Sequence, residues 1–392
     1  MEEVVISSAV RTPMGGFQGD LDSFSASELG GKAIQGAMEK AGITRVDEVI
    51  MGNVLGAGQG QAPARQASFA AGLDETVPAT TLNKMCGSGM KAAMIGFDQI
   101  KLGQSQTLAV GGMESMSNAP YLLPKMRSGA RLGHGKVVDH MFLDGLEDAY
   151  EPGRLMGTFA EDCAEKYQFT REAQDEYALT SLENSLSAQK VGAFENEIRA
   201  VEVTDRKGAK SLVLFDEQPQ NARPDKIPHL KPAFRKNGTV TPANSSSISD
   251  GAAALILASK SYSENEGLPI RARILGHSSY AHAPGLFTTA PVYAVKNLLK
   301  SIDWSIGMVD LWEVNEAFAV VPMAFMQELD ISRKILNVHG GACAIGHPIG
   351  ASGARIMVTL LNALERYDLK RGVAAVCIGG GEGTAIAIER AQ

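Results

Sequence analysis

Cys86 lies in the stretch Asn83-Lys84-Met85-Cys86-Gly87-Ser88-Gly89-Met90. An apolar run with β-branched residues (Val77, Thr80, Thr81, Leu82) precedes it. A helical pattern from Met90 to Leu102 follows, with Ala92, Ala93, Ile95, Ile100 and Leu102 at buried spacing. The thiol is therefore expected where a strand turns into a helix. Gly87 and Gly89 permit a tight turn there and leave backbone N–H groups uncovered. A thiol at a helix N-terminus feels the positive end of the helix dipole, which favours thiolate and suits a nucleophile. A buried structural cysteine is the other reading of the same residues.

Three further groups can do chemistry with a thiol. His347 lies in Gly340-Gly341-Ala342-Cys343-Ala344-Ile345-Gly346-His347-Pro348-Ile349-Gly350. Four glycines and a proline argue against regular helix, so the four-residue spacing of His339, Cys343 and His347 is not read as a metal site, and no metal is expected. An imidazole on a rigid loop beside a thiol is a general base; a satisfied core histidine is its alternative. Cys377 ends an apolar strand pattern and runs into Ile378-Gly379-Gly380-Gly381. It reads either as a small core residue or as a second acid/base thiol. The triple glycine lacks the Lys-Ser/Thr of a phosphate-binding loop. Asn315 follows a predicted strand, where an amide can hold a water or an oxyanion, or cap a helix from Glu316 onward.

The elements that must position these groups alternate between strand and helix. Residues 4–10, 46–54 and 107–112 read as strands, and 25–41 and 62–71 as helices. From about Asn118 to Ser249 the pattern loosens into charges, prolines and weak periodicity. Two helices are predicted between Phe159 and Ala200. The alternation then returns, with strands at 252–257, 271–278, 309–314 and 373–378, a closing strand at 385–389, and helices at 292–302 and 352–365. The chain also repeats itself: Ala33 and Ala294, Asp47 and Asp310, Ser88 and Ser352, and Gly111 and Gly379 pair at offsets of 261, 263, 264 and 268 residues. Two copies of one α/β unit would aim their strand C-terminal ends at a common site, where active sites of such sheets sit. The copy of the Cys86 turn is then the stretch beside His347.

At 392 residues, the chain can hold two or three domain-sized cores. A net charge of −7 argues against nucleic acid as a partner. No apolar run reaches the roughly 18 residues of a membrane span. Four cysteines (Cys86, Cys163, Cys343, Cys377) in so long a chain do not make a disulfide framework, and no targeting segment is evident at the acidic start. A cytoplasmic setting is expected.

Taken together, these motifs resemble the thiolase family, in particular its biosynthetic branch. The resemblance rests on Asn83 to Gly89, on Asn315-Glu316-Ala317-Phe318-Ala319, on Gly346-His347-Pro348-Ile349-Gly350-Ala351-Ser352-Gly353-Ala354-Arg355 and on Cys377 to Gly381. Arg11-Thr12-Pro13, Gly238 to Thr241 and Ser249 to Ala254 extend it over the chain in the family's order. It implies a thiolase-like α/β fold: two βαβαβαββ halves in a five-layer αβαβα arrangement with an inserted loop domain. The expected division is 1–117, continued in 250–270, for the first half, 118–249 for the insert and 271–392 for the second half.

The resemblance also implies roles. Cys86 would take an acetyl group, with His347 raising its thiolate population. Cys377 would move the α-proton of a second acetyl-CoA. Asn315 would hold a water that forms one oxyanion hole with His347, and the N–H groups of Cys86 and Gly379 would form the other. Coenzyme A would run along Leu146, Met156, Phe234, Ser246, Ala317 and Phe318. The basic stretch with Arg206, Lys207, Lys210, Arg223, Lys226, Lys231, Arg235 and Lys236 would meet its phosphates or form a solvated face. The implied reaction is reversible condensation of two acetyl-CoA to acetoacetyl-CoA and CoA, with no bound cofactor and in a homotetramer contacting through about Asn118 to Lys136. A degradative thiolase for longer 3-ketoacyl-CoA and a non-catalytic acyl-CoA-binding protein are the alternatives. Leu155, His339 and Glu382 depart from the family's usual residues, and Arg223 is only a nearby match for its adenine-site arginine.

Overall fold

The computed structural model describes residues 2–205 and 207–391, so Arg206 of the basic stretch lies outside the described residues. The first half runs β1 (Val4–Arg11), α1 (Ala26–Ala41), β2 (Glu48–Gly52), α2 (Pro63–Ala70), β3 (Ala79–Leu82), α3 (Ser88–Lys101) and β4 (Thr107–Ser115). An insert containing α4 (Met156–Tyr167) and α5 (Arg171–Lys190) follows. The chain re-enters the sheet with β5 (Ser249–Ser259). The second half is β6 (Ala272–Ala281), α6 (Ala290–Ser301), β7 (Leu311–Val314), α7 (Val320–Leu329), α8 (Ser352–Arg366), β8 (Arg371–Ile378) and β9 (Glu382–Arg390).

Local chemistry sets these bounds. Ser25 and Glu28 form a capping box that starts α1, and Gly42 at φ +72° ends it in the left-handed region. β4 runs through Gly111 and Gly112 to Ser115 rather than stopping at the glycines. The reason is close packing: a Cβ on Gly111 would strike the Ala253 carbonyl, and one on Gly112 the Gly350 carbonyl.

In the first half the strand order is β3-β2-β4-β5-β1, with the first three parallel and β5 antiparallel to both of its neighbours. In the second half it is β7-β8-β9-β6, with β7 and β8 parallel. The halves join through three antiparallel partners of β1 and β6, Val4 with Ile274, Val5 with Arg273 and Ile6 with Ala272. α3 and α8 pack on each other between the half-sheets, α1 covers the outside of the first and α6 the outside of the second. This is the five-layer arrangement.

The second half departs from the expected βαβαβαββ pattern. The strand matching β3 is reduced to a single bridge between Trp312 and Leu336. The Asn337 side chain takes over its ladder, accepting from Val314 N–H and donating to Val314 C=O, both at 2.8 Å. A side-chain amide thus supplies the backbone pairing of a strand edge.

The repeat is visible where the two middle helices cross. A Cβ on Gly89 would lie 2.7 Å from the Ala354 nitrogen, and one on Gly353 would lie 2.5 Å from the Met90 nitrogen. These are equivalent positions of the two halves, so only glycine lets both helix starts approach this closely. The insert is tied down by Arg11 at the end of β1. Its guanidinium donates to Glu197 and Asp216, each at 2.6 Å, and all three groups are buried. Such an ion pair is costly to break once desolvated.

Candidate active site

A cavity of about 300 Å³ opens between the halves and the insert. Its wall includes Cys86, His347, Gly379, Leu146, Met156, Ser246, Ala317 and Phe318. Residues from both halves of the repeat and from the insert therefore meet in one place.

The turn between β3 and α3 presents Cys86. Ser88 Oγ accepts from Lys84 N–H at 2.8 Å and donates to Met85 C=O at 2.7 Å. Asn83 Oδ1 accepts from Met85 N–H at 2.9 Å. Met85 is held at φ +48°, a conformation that L residues adopt at a cost of order 1 kcal/mol. Burial pushes the Cys86 thiol up to about 11, against the pull of the Cys86 and Gly379 backbone N–H groups that reach its sulfur. The thiolate expected from the helix dipole is thus not the resting form. α3 begins at Ser88 with Gly87 as its cap, so the thiol lies just outside the helix, and desolvation outweighs the field of the helix end.

The loop from Gly340 to Gly350 presents His347, and it contains one helical turn, Ala342–Ile345, despite its glycines. His347 N–H donates to Ser247 C=O and Ser249 Oγ, both at 3.2 Å. Ser352 Oγ lies 2.5 Å from Nδ1 and donates its own proton to Pro348 C=O at 3.0 Å. The hydroxyl must then accept from Nδ1–H, which assigns the tautomer and leaves the lone pair on Nε2. Nε2 has no partner among the described residues. Burial, followed by repulsion from Arg355, lowers the imidazole to about 3. His347 is therefore a neutral base at ordinary pH.

Cys377 and Asn315 do not form the cavity wall. Cys377 is buried behind it, and burial, then the nearby Cys86 sulfur, raises its thiol well above the usual range. Asn315 follows β7 and is fully buried, with its N–H on Ala375 C=O at 3.0 Å. It does not cap a helix, because α7 begins only at Val320 with Ala319 as its cap. Neither atom of its side-chain amide has a partner among the described residues. A buried unpaired amide is expensive, of order 1–3 kcal/mol, and so points to a role other than packing.

Phe234 does not reach the wall either. It meets Phe318 edge to face at 5.9 Å and covers Gly157, so it supports the lining residue. Arg223 and Lys226 line a separate cavity with Cys343 and Ser247. Among the described residues, no group of three or more His, Cys, Asp or Glu is arranged to hold a metal ion.

Three residues shape the site in roles that the sequence pattern does not assign. Ser352 enters the sequence reading as a repeat marker and as part of the His347 motif, without the role it takes here. Glu114 is buried in β4 and accepts from Val54 N–H, Leu55 N–H and Gly350 N–H at 2.9–3.1 Å, pinning the His347 loop to the first half. Burial raises its carboxyl to about 7. An acid inside an apolar strand run was its only signal. Glu316 accepts from Tyr177, Ser181 and Asn337 side chains at 2.7–2.9 Å and fixes the Asn315-Phe318 loop.

The chain matches the model of the thiolase N-terminal domain over residues 4–261 and that of the thiolase C-terminal domain over residues 268–390. The chain belongs to the thiolase family. Among its relatives, a probable acetyl-CoA acetyltransferase of Dictyostelium discoideum is 49% identical, covering 100% of this chain and 94% of the relative. An acetyl-CoA acetyltransferase of Pseudomonas aeruginosa is 47% identical over all of both chains. The crystal structure of the Bacillus anthracis acetyl-CoA acetyltransferase matches this thiolase with a TM-score of 0.96 at 40% identity, covering 100% of this chain and 99% of that one. A thiolase of Ascaris suum in complex with coenzyme A matches with a TM-score of 0.93 at 42% identity, covering 99% and 100%.

Proposed function

We propose that this thiolase is an acetyl-CoA C-acetyltransferase that condenses two acetyl-CoA to acetoacetyl-CoA and CoA, reversibly, through an acetyl-cysteine at Cys86. Cys86, Gly379 and His347 meet on one cavity wall, the Gly379 N–H reaches the Cys86 sulfur, and Nε2 of His347 has no partner among the described residues; this convergence carries the reading.

Nε2 of His347 takes the Cys86 proton as the sulfur attacks the thioester carbonyl. The oxyanion is held by the Cys86 and Gly379 N–H groups until the CoA thiolate leaves, protonated by Cys377. The Cys377 thiolate then removes an α-proton from a second acetyl-CoA. The enolate oxygen is held by Nε2–H of the now-charged His347 and by a water on Asn315. The enolate carbon attacks the acetyl-cysteine, and collapse returns a Cys86 thiolate that recovers its proton from His347. Burial holds both groups neutral at rest, the thiol near 11 and the imidazole near 3, so the proton moves as the C–S bond forms and the Cys86 and Gly379 N–H groups take up the oxyanion, not through a standing thiolate.

Leu146, Met156, Ser246, Ala317 and Phe318 on the cavity wall support a coenzyme A arm lying between insert and core. The four unpaired cysteines support a cytoplasmic setting. Exposed Tyr121, Leu123, Met126 and Leu132 support the 118–136 segment as the contact of a homotetramer.

Peptide mass spectrometry after acetyl-CoA treatment tests the reading, with thiolysis assays over a chain-length series. An acetyl adduct on Cys86, abolished in Cys86→Ala and persisting in Cys377→Ala with condensation down 10²–10⁴-fold, is expected. No adduct would identify a non-catalytic binder. A preference for chains longer than C4 would identify the degradative enzyme.

A further inference from the structure

We propose that the Lys84–Glu382 ion pair is a clamp between the two halves that holds the Cys86 and Gly379 N–H groups in register as one oxyanion hole. The inference rests on the reading of Cys86 as the acetylated thiol. Lys84 stands two residues before Cys86, on the turn from the first half. Glu382 opens β9 in the second half, and its carboxylate accepts directly from the Lys84 ammonium. Neither makes another ion pair among the described residues.

The two donors have no common covalent frame. The Cys86 N–H belongs to a turn closed upon itself through Ser88 and strained at Met85. The Gly379 N–H belongs to the tip of the β8–β9 hairpin, where Ile378 pairs with Glu382 across three glycines. Gly380 and Gly381 sit at φ +92° and +86°. Glycine has the greatest backbone freedom of any residue, so this tip does not hold its own shape. His282 N–H donates to Gly381 C=O at 2.9 Å, Ile378 packs against Gly87 and the Gly379 N–H reaches the Cys86 sulfur. Among the described residues, Lys84–Glu382 is the one ion pair between the nucleophile turn and the hairpin. Both side chains are partly exposed, at 24% and 34%, so their contribution to global stability is small. Their effect is on the relative placement of two donors, where small errors are felt strongly in rate.

The test compares Lys84→Met, Glu382→Gln and the charge swap Lys84→Glu/Glu382→Lys with wild type. The readouts are the rate of Cys86 acetylation, kcat and KM for acetoacetyl-CoA thiolysis, and the melting midpoint. Each single variant is expected to lose about tenfold in acetylation rate and kcat, a fraction of the 10²–10³ lost when a donor is removed outright. KM and melting midpoint should stay near wild type, and the swap should recover most of the rate. Single variants within twofold of wild type overturn the clamp. So does a rate loss that the swap fails to recover, or one that tracks a falling melting midpoint. A wild-type enzyme that never acetylates Cys86 overturns the activity reading instead, and is recognised before any variant is compared.

Discussion

Ser352 Oγ and His347 Nδ1 stand 2.5 Å apart, and the serine's own proton is committed to Pro348 C=O. One hydroxyl thus decides which imidazole nitrogen faces the cavity as a base. Ser352 opens α8, the copy of the helix that Ser88 opens behind Cys86. The duplicated serine builds the nucleophile turn in one half and orients the base in the other.

Ser352→Ala removes that orientation while leaving the imidazole in place. The acetylation rate of Cys86 should fall about tenfold, a part of the 10²–10⁴ that a positioned base supplies. A stopped-flow acetylation assay reads it, and an unchanged rate would mean that packing alone sets the tautomer.

Asn315→Ala separates chemistry from stability. Its amide has no partner among the described residues, so truncation breaks no side-chain hydrogen bond within that set. Condensation should drop by about 10²-fold, as for loss of an oxyanion-hole donor. Urea unfolding should show no loss greater than about 1 kcal/mol, since truncation also removes the cost of burying the amide. A larger loss of stability would make the residue structural.

His339→Asn should flatten the acid side of the stability curve. His339 is buried, and burial, then Arg366 and Arg11, lowers its imidazole to about 4. In the unfolded chain it titrates near 6.5. Between those values the unfolded state binds more protons, so stability falls as pH falls from about 6.5 to about 4. Wild type should therefore lose about 1–2 kcal/mol more than the variant between pH 7 and pH 5. Urea midpoints at the two values measure this; parallel losses in both proteins would refute it.

Gly353→Ala tests the crossing of the middle helices. The new Cβ would meet the Met90 nitrogen at 2.5 Å, and backbone cannot move aside as a side chain can. A destabilisation of about 1–3 kcal/mol is expected, with reduced activity because α3 and α8 begin beside Cys86 and His347. Thermal unfolding alongside kcat reads both, and a neutral substitution would mean that the helices slide apart freely.

Much of this was legible in the sequence because it is local. Strand and helix periods, the glycine turns around Cys86 and His347, and the near-constant offset between the halves all depend on residues close in the chain. Those patterns, with the motifs at Cys86, Asn315, His347 and Cys377, were enough to expect a duplicated α/β fold. Tertiary structure decided the rest, because burial and partners come from distant segments. Burial in the closed structure raises the Cys86 thiol where the helix end alone would lower it. Asn337, folded back onto Val314, replaces a whole strand of the second half. Phe234 is drawn behind Phe318 rather than beside the cavity, and the Asn315 amide has no partner among the described residues, with α7 starting only at Val320. None of these follows from spacing, since each is fixed by which surfaces exclude water once the two halves have closed.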